Sequence, residues 1–428
     1  MNIKIENAYV VLDDMSVKKT DLYIIGSEIA SIGSMPEGFA VEKLIDGDNK
    51  LVIPGLINCH THSYMSLFRS FADDLSFEQW LFEKLNPIED RMSMEEAYYC
   101  ALLSMIEMAK SGTTCFADMH MFEGQTARAA QVSGLRAVIS RGLVGSRDEE
   151  GCIDEGGIRR LEEAKREMEA FKDEERITFM LAPHAIYTCD KGYIEEVAGL
   201  SKSLGVRNNI HLSETRNEVE GCIKQYGKSP VEVFDEAGFF DVPTIAAHCV
   251  HLSERDKEIL KAKGVSVAAN AKSNLKLGNG IADIWDMHNM GINICLGTDS
   301  AASNNSLNMF SEMNFTALLH KGKNENPLAL NAREVLGFAT KNGAKALGLE
   351  RVGQIKEGFK ADLAILDIQN PQFCPKNDLI SALIYSANGS EVESVIVNGE
   401  MVLEKGKMCH IDEKEIYLRV EEIIAKYS

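Results

Sequence analysis

The chain has 428 residues, 45% hydrophobic and 26% charged, which is ample for a large buried core and leaves no low-complexity tract. Its formal net charge of -20 argues against a nucleic-acid partner, because a phosphate backbone is bound by clustered Lys and Arg. No apolar run nears the roughly 18 residues of a membrane span, the N-terminus lacks the basic-then-apolar pattern of a secretory signal, and the ten cysteines are scattered without a CxxC pair. These features read as a cytoplasmic globular protein with reduced, mostly buried thiols and no membrane partner.

Residues 1–55 open with short alternating strands, IKIENAYVVL and DLYIIGSEIASIG, separated by turn residues. The same texture returns in ADLAILDI and SVIVNGEMVLEKG, within 350–428. The two ends are expected to pair as one small β domain, with a terminal helix, around an inserted segment 56–349.

That segment alternates strand-like and helix-like runs. The strands predicted are LINCHTH (56–62), TTCFADM (113–119), RAVISRGL (136–143), ITFMLAPHA (177–185), NNIHLSE (208–214), TIAAHCV (244–250), VSVAANA (265–271) and NICLGTDS (293–300). Helical patterns lie between them; in EEAYYCALLSMIEMAKSG, Ala101, Met105, Met108 and Ala109 share one face and Gly112 ends the run. Eight βα units across almost three hundred residues fit a closed (β/α)₈ barrel. A doubly wound open sheet would instead carry a Gly-rich phosphate loop after its first strand, where this chain reads CHTHSYM.

The unusual polar residues fall at the carboxyl ends of these strands: His60 and His62 on the first, His184 on the fourth, His211 and Glu214 on the fifth, His248 on the sixth and Asp299 on the eighth. Barrel active sites are built at that end. Residues i and i+2 of a strand point the same way, so His60 and His62 can reach one ion. His211 and Asp299 complete a nitrogen and oxygen set suited to Zn²⁺, with Fe²⁺ or Mn²⁺ possible. Such an ion activates a water molecule. Glu214 is placed to move that water's proton, and His248 to stabilise charge on a tetrahedral intermediate. Taken singly, each has an ordinary explanation: H-x-H as two hydrogen-bonded strand residues, GTDS as a helix N-cap, Glu214 as a solvated charge. The joint pattern at converging strand tips is what favours a metal site. His251 lies just beyond, in the loop after the sixth strand.

His60-Thr61-His62, HLSE, AAHC and GTDS, in this order, resemble the amidohydrolase superfamily along essentially the whole chain. The resemblance implies a (β/α)₈ TIM-like barrel flanked by a β-sandwich from the two chain ends. The fourth strand carries no lysine, so one divalent metal per subunit is implied. ADDLSFEQWLFEKLNPIEDRM, SNLKLGNG and GTDSAASNNSLN are similar to the S-adenosylhomocysteine/5′-methylthioadenosine deaminase group, which also includes 5′-deoxyadenosine and adenosine deaminases. The implied reaction is hydrolytic deamination of a nucleoside to an inosine derivative and ammonia. The same likeness implies His60, His62, His211 and Asp299 as metal ligands, with Glu214, His248 and Asp299 catalytic. Glu89 is implied as acceptor from the ribose hydroxyls, His184 at the purine edge with Ser303 assisting, and Trp80 as an aromatic wall. Arg141, with Arg160 or Arg159, is implied to meet an amino-acid carboxylate; in relatives the second arginine can come from a neighbouring subunit, which points to a homo-oligomer. Ala269-Asn270-Ala271 stands where many relatives carry a His-Asn-Pro sequence, so the wall near the seventh strand is expected to differ. The rival readings are guanine or pterin deamination, triazine dechlorination, and a non-catalytic binding barrel.

Overall fold

The computed structural model describes residues 1–77 and 79–427. Five strands come first: β1 (Asn2–Val11), β2 (Val17–Ile25), β3 (Glu28–Ile32), β4 (Lys43–Asp46) and β5 (Lys50–Pro54). Eight follow in the middle: β6 (Leu56–Thr61), β7 (Thr113–His120), β8 (Arg136–Leu143), β9 (Ile177–Pro183), β10 (Arg207–Leu212), β11 (Thr244–His248), β12 (Ser266–Ala269) and β13 (Ile294–Leu296). Four close the chain: β14 (Leu363–Asp367), β15 (Val392–Val397), β16 (Glu400–Glu404) and β17 (Lys407–Met408).

The first and last groups form one nine-stranded sheet in the order β17-β16-β15-β14-β5-β1-β2-β3, with β4 alongside β1. The two ends of the chain meet where β5 and β14 pair antiparallel, Val52 opposite Ile365. Ile24 and Ile29 from one end of the sheet and Ile396 and Met401 from the other share a single apolar cluster, so the sheet curls over its own core. The alternating apolar pattern of the terminal segments supplies that inner face.

β6 to β13 pair parallel in sequence order. The ends of this ribbon join: Asp299 N–H donates to His60 O at 2.9 Å, and Thr298 N–H to Asn58 Oδ1 at 3.0 Å. Cys59, Cys115, Val138, Met180, Ile245, Ala268 and Cys295, each from a different strand, pack into one cluster. The barrel is therefore filled rather than hollow, and its small inward residues include three of the seven buried cysteines.

Local signals place the helices around it. Met94–Lys110 starts at a capping box in which Ser93 and Glu96 satisfy each other's backbone N–H groups. Its predicted face, Ala101, Met105, Met108 and Ala109, is wholly buried. It stops before Gly112, whose φ of +78° a side chain would strain and whose Cβ would meet Val392 at 3.3 Å. Among the described residues no helix is long and apolar enough to cross a membrane.

Candidate active site

Three strand tips carry left-handed, non-glycine residues: Ser213 (φ +50°) after β10, His248 (φ +71°) at the end of β11 and Asp299 (φ +59°) after β13. Such residues are held by their surroundings against an intrinsic cost, and they gather at functional sites. Gly297 permits the last turn, because a Cβ there would sit 2.8 Å from His60 Cβ and 2.5 Å from Asn270 Oδ1.

The turns bring four imidazoles and a carboxylate together. His60, His62 and His211 each offer a ring nitrogen within 4.8 Å of the others; His60, His248 and Asp299 form a second such group. His62 Nδ1 bonds Met119 O, and His211 Nδ1 lies 2.9 Å from His184 O. A carbonyl only accepts, so both rings donate from Nδ1 and turn Nε2 toward the cluster. These two Nε2 atoms are 3.3 Å apart. Both ring nitrogens of His60 are buried without a hydrogen-bond partner, an arrangement that costs stability unless something binds them.

Asp299 is aimed by its second oxygen. Oδ2 accepts from Ser273 at 2.5 Å and Ser303 at 2.8 Å, leaving Oδ1 3.2 Å from His62 Nε2 and 3.7 Å from His60 Nε2. Burial pushes this carboxyl up, yet His62, His248 and His60 hold it well below the usual range. Burial likewise opposes a charge on His62, but Asp299 lifts that ring to about 9. A divalent ion shared by His60, His62, His211 and Asp299 fits the donor set, its geometry and the two His60 nitrogens that lack a hydrogen bond.

Glu214 faces the same space. Its Oε1 accepts from Asn279 Nδ2 at 2.9 Å, and its Oε2 lies 3.8 Å from His248 Nε2. Glu218 accepts from the Ser213 and Glu214 backbone N–H groups and fixes the turn. Burial raises the Glu214 carboxyl above its ordinary value. His248 Nδ1 is 2.8 Å from Asn274 Oδ1.

One cavity of about 60 Å³ is lined by His62, Glu89, His120, His184, His211, Glu214, His248 and Asp299, and walled by Met65, Phe77, Trp80, Leu81, Tyr187 and Leu277. Of the residues singled out in the sequence, Glu89, Trp80 and His184 therefore join the histidine cluster. Glu89 is 5% exposed rather than a surface charge, and accepts from the Tyr64 hydroxyl at 2.6 Å. His184 is 3.1 Å from Thr188 Oγ1, and burial lowers its ring to about 4. Ser303 reaches Asp299 instead of the cavity. Arg141 lines an adjoining space of about 500 Å³ that shares Glu89, and it is paired there with Glu163. Arg160 lies outside both, donating to Val144 O at 3.0 Å, while the Arg159 side chain is 66% exposed. His251 bonds Asn279 O at 2.7 Å and lies outside the cavity. Asn270, beside Ala269, reaches to 3.4 Å from His248 Nδ1.

The sequence reading passed over Tyr64, His120, Ser273, Asn274 and Asn279. His120 had a signal: it closes β7 just as the other cavity histidines close their strands, one residue past the predicted end. Ser273, Asn274 and Asn279 lay within SNLKLGNG, but nothing in their spacing shows that they orient Asp299, His248 and Glu214.

A family model described as the amidohydrolase family matches residues 51–402. The 5-methylthioadenosine/S-adenosylhomocysteine deaminase of Caldanaerobacter subterraneus subsp. tengcongensis is 44% identical over 424 residues, covering 98% of this chain and 97% of that protein. An adenosine deaminase from Xanthomonas campestris, solved with bound zinc, superposes with a TM-score of 0.93 at 29% identity, over 99% of this chain and 98% of the other. The zinc complex of atrazine chlorohydrolase from Arthrobacter aurescens has a TM-score of 0.91 at 23% identity, over 99% of this chain and the whole of the other, a likeness of fold.

Proposed function

The chain belongs to the amidohydrolase family, and on that premise we propose that it is a metal-dependent deaminase of adenosine-type nucleosides, releasing ammonia and an inosine derivative. The 5′ group is methylthio or homocysteinyl, as in the name of the relative at 44% identity, or hydroxyl, as in that of the adenosine deaminase, with hydrogen the smallest group the same reading admits. The observation that carries the reading is a single cavity lined by His62, His211, Asp299, Glu214 and a buried carboxylate, Glu89, with His60 buried beside the same histidines. A free base has no ribose diol, whose two vicinal hydroxyl donors match the acceptor oxygens of Glu89.

In this reading one divalent ion, Zn²⁺ by its nitrogen-rich donor set, is held by His60, His62, His211 and Asp299, and when bound it lowers the pKa of water from 15.7 to about 7. Glu214 takes a proton from the attacking water and delivers it to the ring nitrogen next to C6 of the adenine. Its raised pKa suits a group that must both accept and donate near neutrality. His248 and Asp299 orient the water and receive its second proton. The new C–O bond forms at C6, the C–N bond breaks, and the proton passed on from the site leaves with ammonia. His184 contacts the purine edge, Trp80 covers the substrate, and Ser303 acts through Asp299. Arg141, in the adjoining space, meets a 5′ amino-acid carboxylate. The ten unpaired cysteines suit a reducing cytoplasm.

The test is ammonia release from protein purified without chelator, across 5′-methylthioadenosine, S-adenosylhomocysteine, 5′-deoxyadenosine and adenosine, with adenine, guanine and cytosine as controls and metal content measured in parallel. Turnover of the nucleosides alone is expected. Turnover of guanine without the nucleosides, or none with an ion bound, overturns the proposal.

A further inference from the structure

Behind Glu89, one wall of the cavity holds two polar residues, Tyr64 and His120, to which the proposed reaction assigns no role. The Tyr64 hydroxyl, on the turn Ser63–Phe68 after β6, is 2.6 Å from Glu89 Oε1. It also lies within 2.7 Å of the ring nitrogens of His120, the last residue of β7. His120 Nε2 is 3.8 Å from that same Glu89 oxygen. Tyr64 is fully buried behind the wall, whereas His120 and Glu89 face the cavity.

The proton count gives this cluster a direction. A carboxylate accepts only, and a phenol has one proton to donate and lone pairs with which to accept. The Tyr64 proton therefore goes to Glu89, and the phenol oxygen is left to accept from an N–H of His120. The resulting chain, His120 to Tyr64 to Glu89, spends one of the roughly four acceptor positions of the carboxylate. The rest remain for donors in the cavity, and two vicinal hydroxyls match them.

We propose that Tyr64 and His120 are positioning residues that hold Glu89 in register for a cis-diol, and so set this protein's preference for ribonucleosides over their deoxy counterparts. The inference rests on the reading of Glu89 as the ribose contact. Neither residue touches the reacting atoms. The ring of Tyr64 also packs edge-on against Phe122, with centroids 5.2 Å apart, so a role in packing alone is the alternative. Tyr64→Phe separates the two, because it keeps the ring and removes the hydroxyl.

The experiment compares kcat/KM for adenosine and 2′,3′-dideoxyadenosine in the wild type, Tyr64→Phe, His120→Ala and His120→Gln. Tyr64→Phe should lower kcat/KM for adenosine about tenfold, chiefly through KM, as expected for a lost hydrogen bond to a charged group, while moving the dideoxy substrate by less than about twofold. His120→Ala should shrink the ribose preference in the same way, and His120→Gln, which keeps an N–H donor, should restore most of it. Equal losses on both substrates would show a packing role and overturn the inference, as would a preference unchanged in both Tyr64→Phe and His120→Ala. A wild type that turns over both substrates without favouring adenosine also overturns it, yet leaves the deaminase reading intact. A wild type that turns over neither of these nor any other nucleoside of the four-member panel removes both.

Discussion

Glu214 and His62 sit on opposite sides of one chemical division, between moving protons and holding charge. Glu214→Gln preserves the shape and the Asn279 contact region but removes the proton carrier. Metal content should be unchanged, and kcat should fall by about 10² to 10⁴-fold; undiminished turnover would remove Glu214 from the mechanism. His62→Ala instead deletes a ring whose Nε2 lies 3.3 Å from that of His211 and 3.2 Å from Asp299. Metal and activity should disappear together, measured by elemental analysis and ammonia release on the same preparation. The residues behind both predictions were legible because barrel strands put their last residues at one mouth, so a polar residue at a strand tip is informative without knowledge of the fold's details. Asn279 was not, because its contact with Glu214 is made by a side chain 65 positions away in sequence, and an asparagine in a glycine-rich stretch reads as a turn. Arg160, with Arg159 as its alternative, was placed with the substrate residues only by the family resemblance. Within one subunit the helix Glu155–Ala170 turns it toward Val144, and presents Glu163, Arg166 and Glu167 to the space beside Arg141.

At the scale of elements, the eight barrel strands were readable from alternating apolar runs broken by turn residues, and the observed strands differ mainly by ending sooner. β12 and β13 have four and three residues where longer runs were expected, since the residues after them turn into the site. The wall segment behaves differently. Phe77, Trp80 and Leu81 stand over the histidine cavity, so a substrate that enters packs against this wall. The chain has two tryptophans. In Trp285→Phe, Trp80 is the only indole left, and its emission should change in wavelength or intensity on saturation with an inosine product; a spectrum that does not move would place the product away from this wall. The helix Met94–Lys110 supplies a pH test. Glu96 is drawn down to about 2: burial pushes its carboxyl up, but Lys426, Ser93 and Tyr427 outweigh it. A carboxyl whose folded pKa lies below its unfolded value of 4.5 stabilises the fold above that pH, and loses the contribution as pH falls toward 2. Lys426 is 61% exposed, so solvent screens the pair and its worth is well below what such a shift would mean in a buried pair. Glu96→Gln, which keeps the capping box, should be measurably less stable than wild type at pH 7. In urea melts the gap from wild type should narrow steadily between pH 4.5 and 2; a constant gap would refute the assignment.

On the scale of the whole molecule, the sequence announced that its two ends are alike, but not how they grip the barrel. That grip depends on a pairing 226 residues apart. Arg136, at the start of β8, donates from Nε to Asp362 Oδ2 at 2.7 Å and from Nη2 to Asp362 Oδ1 at 3.1 Å; the Asn398 N–H also donates to Oδ1, at 2.7 Å. Both charged residues are under 5% exposed. Single letters in a sequence do not disclose a buried ion pair, because either residue reads as surface until its partner is known. Removing one member strands a charge that water cannot reach, a loss of about 3 kcal/mol or more, whereas removing both is often close to neutral. Asp362→Asn should therefore destabilise the protein by about 3 kcal/mol in denaturant melts. Arg136→Met with Asp362→Leu should recover part of that, held short of wild type by the unanswered Asn398 N–H. The apolar cluster that contains Leu51, Leu366 and Val395 of the terminal sheet also contains Ile139, Leu181 and Leu296 of the barrel. Sheet and barrel share that cluster, so all three proteins should unfold in one transition. If Asp362→Asn instead released the sheet in a separate, earlier step, the ion pair would be the joint between two independent units, and the shared core would not couple them.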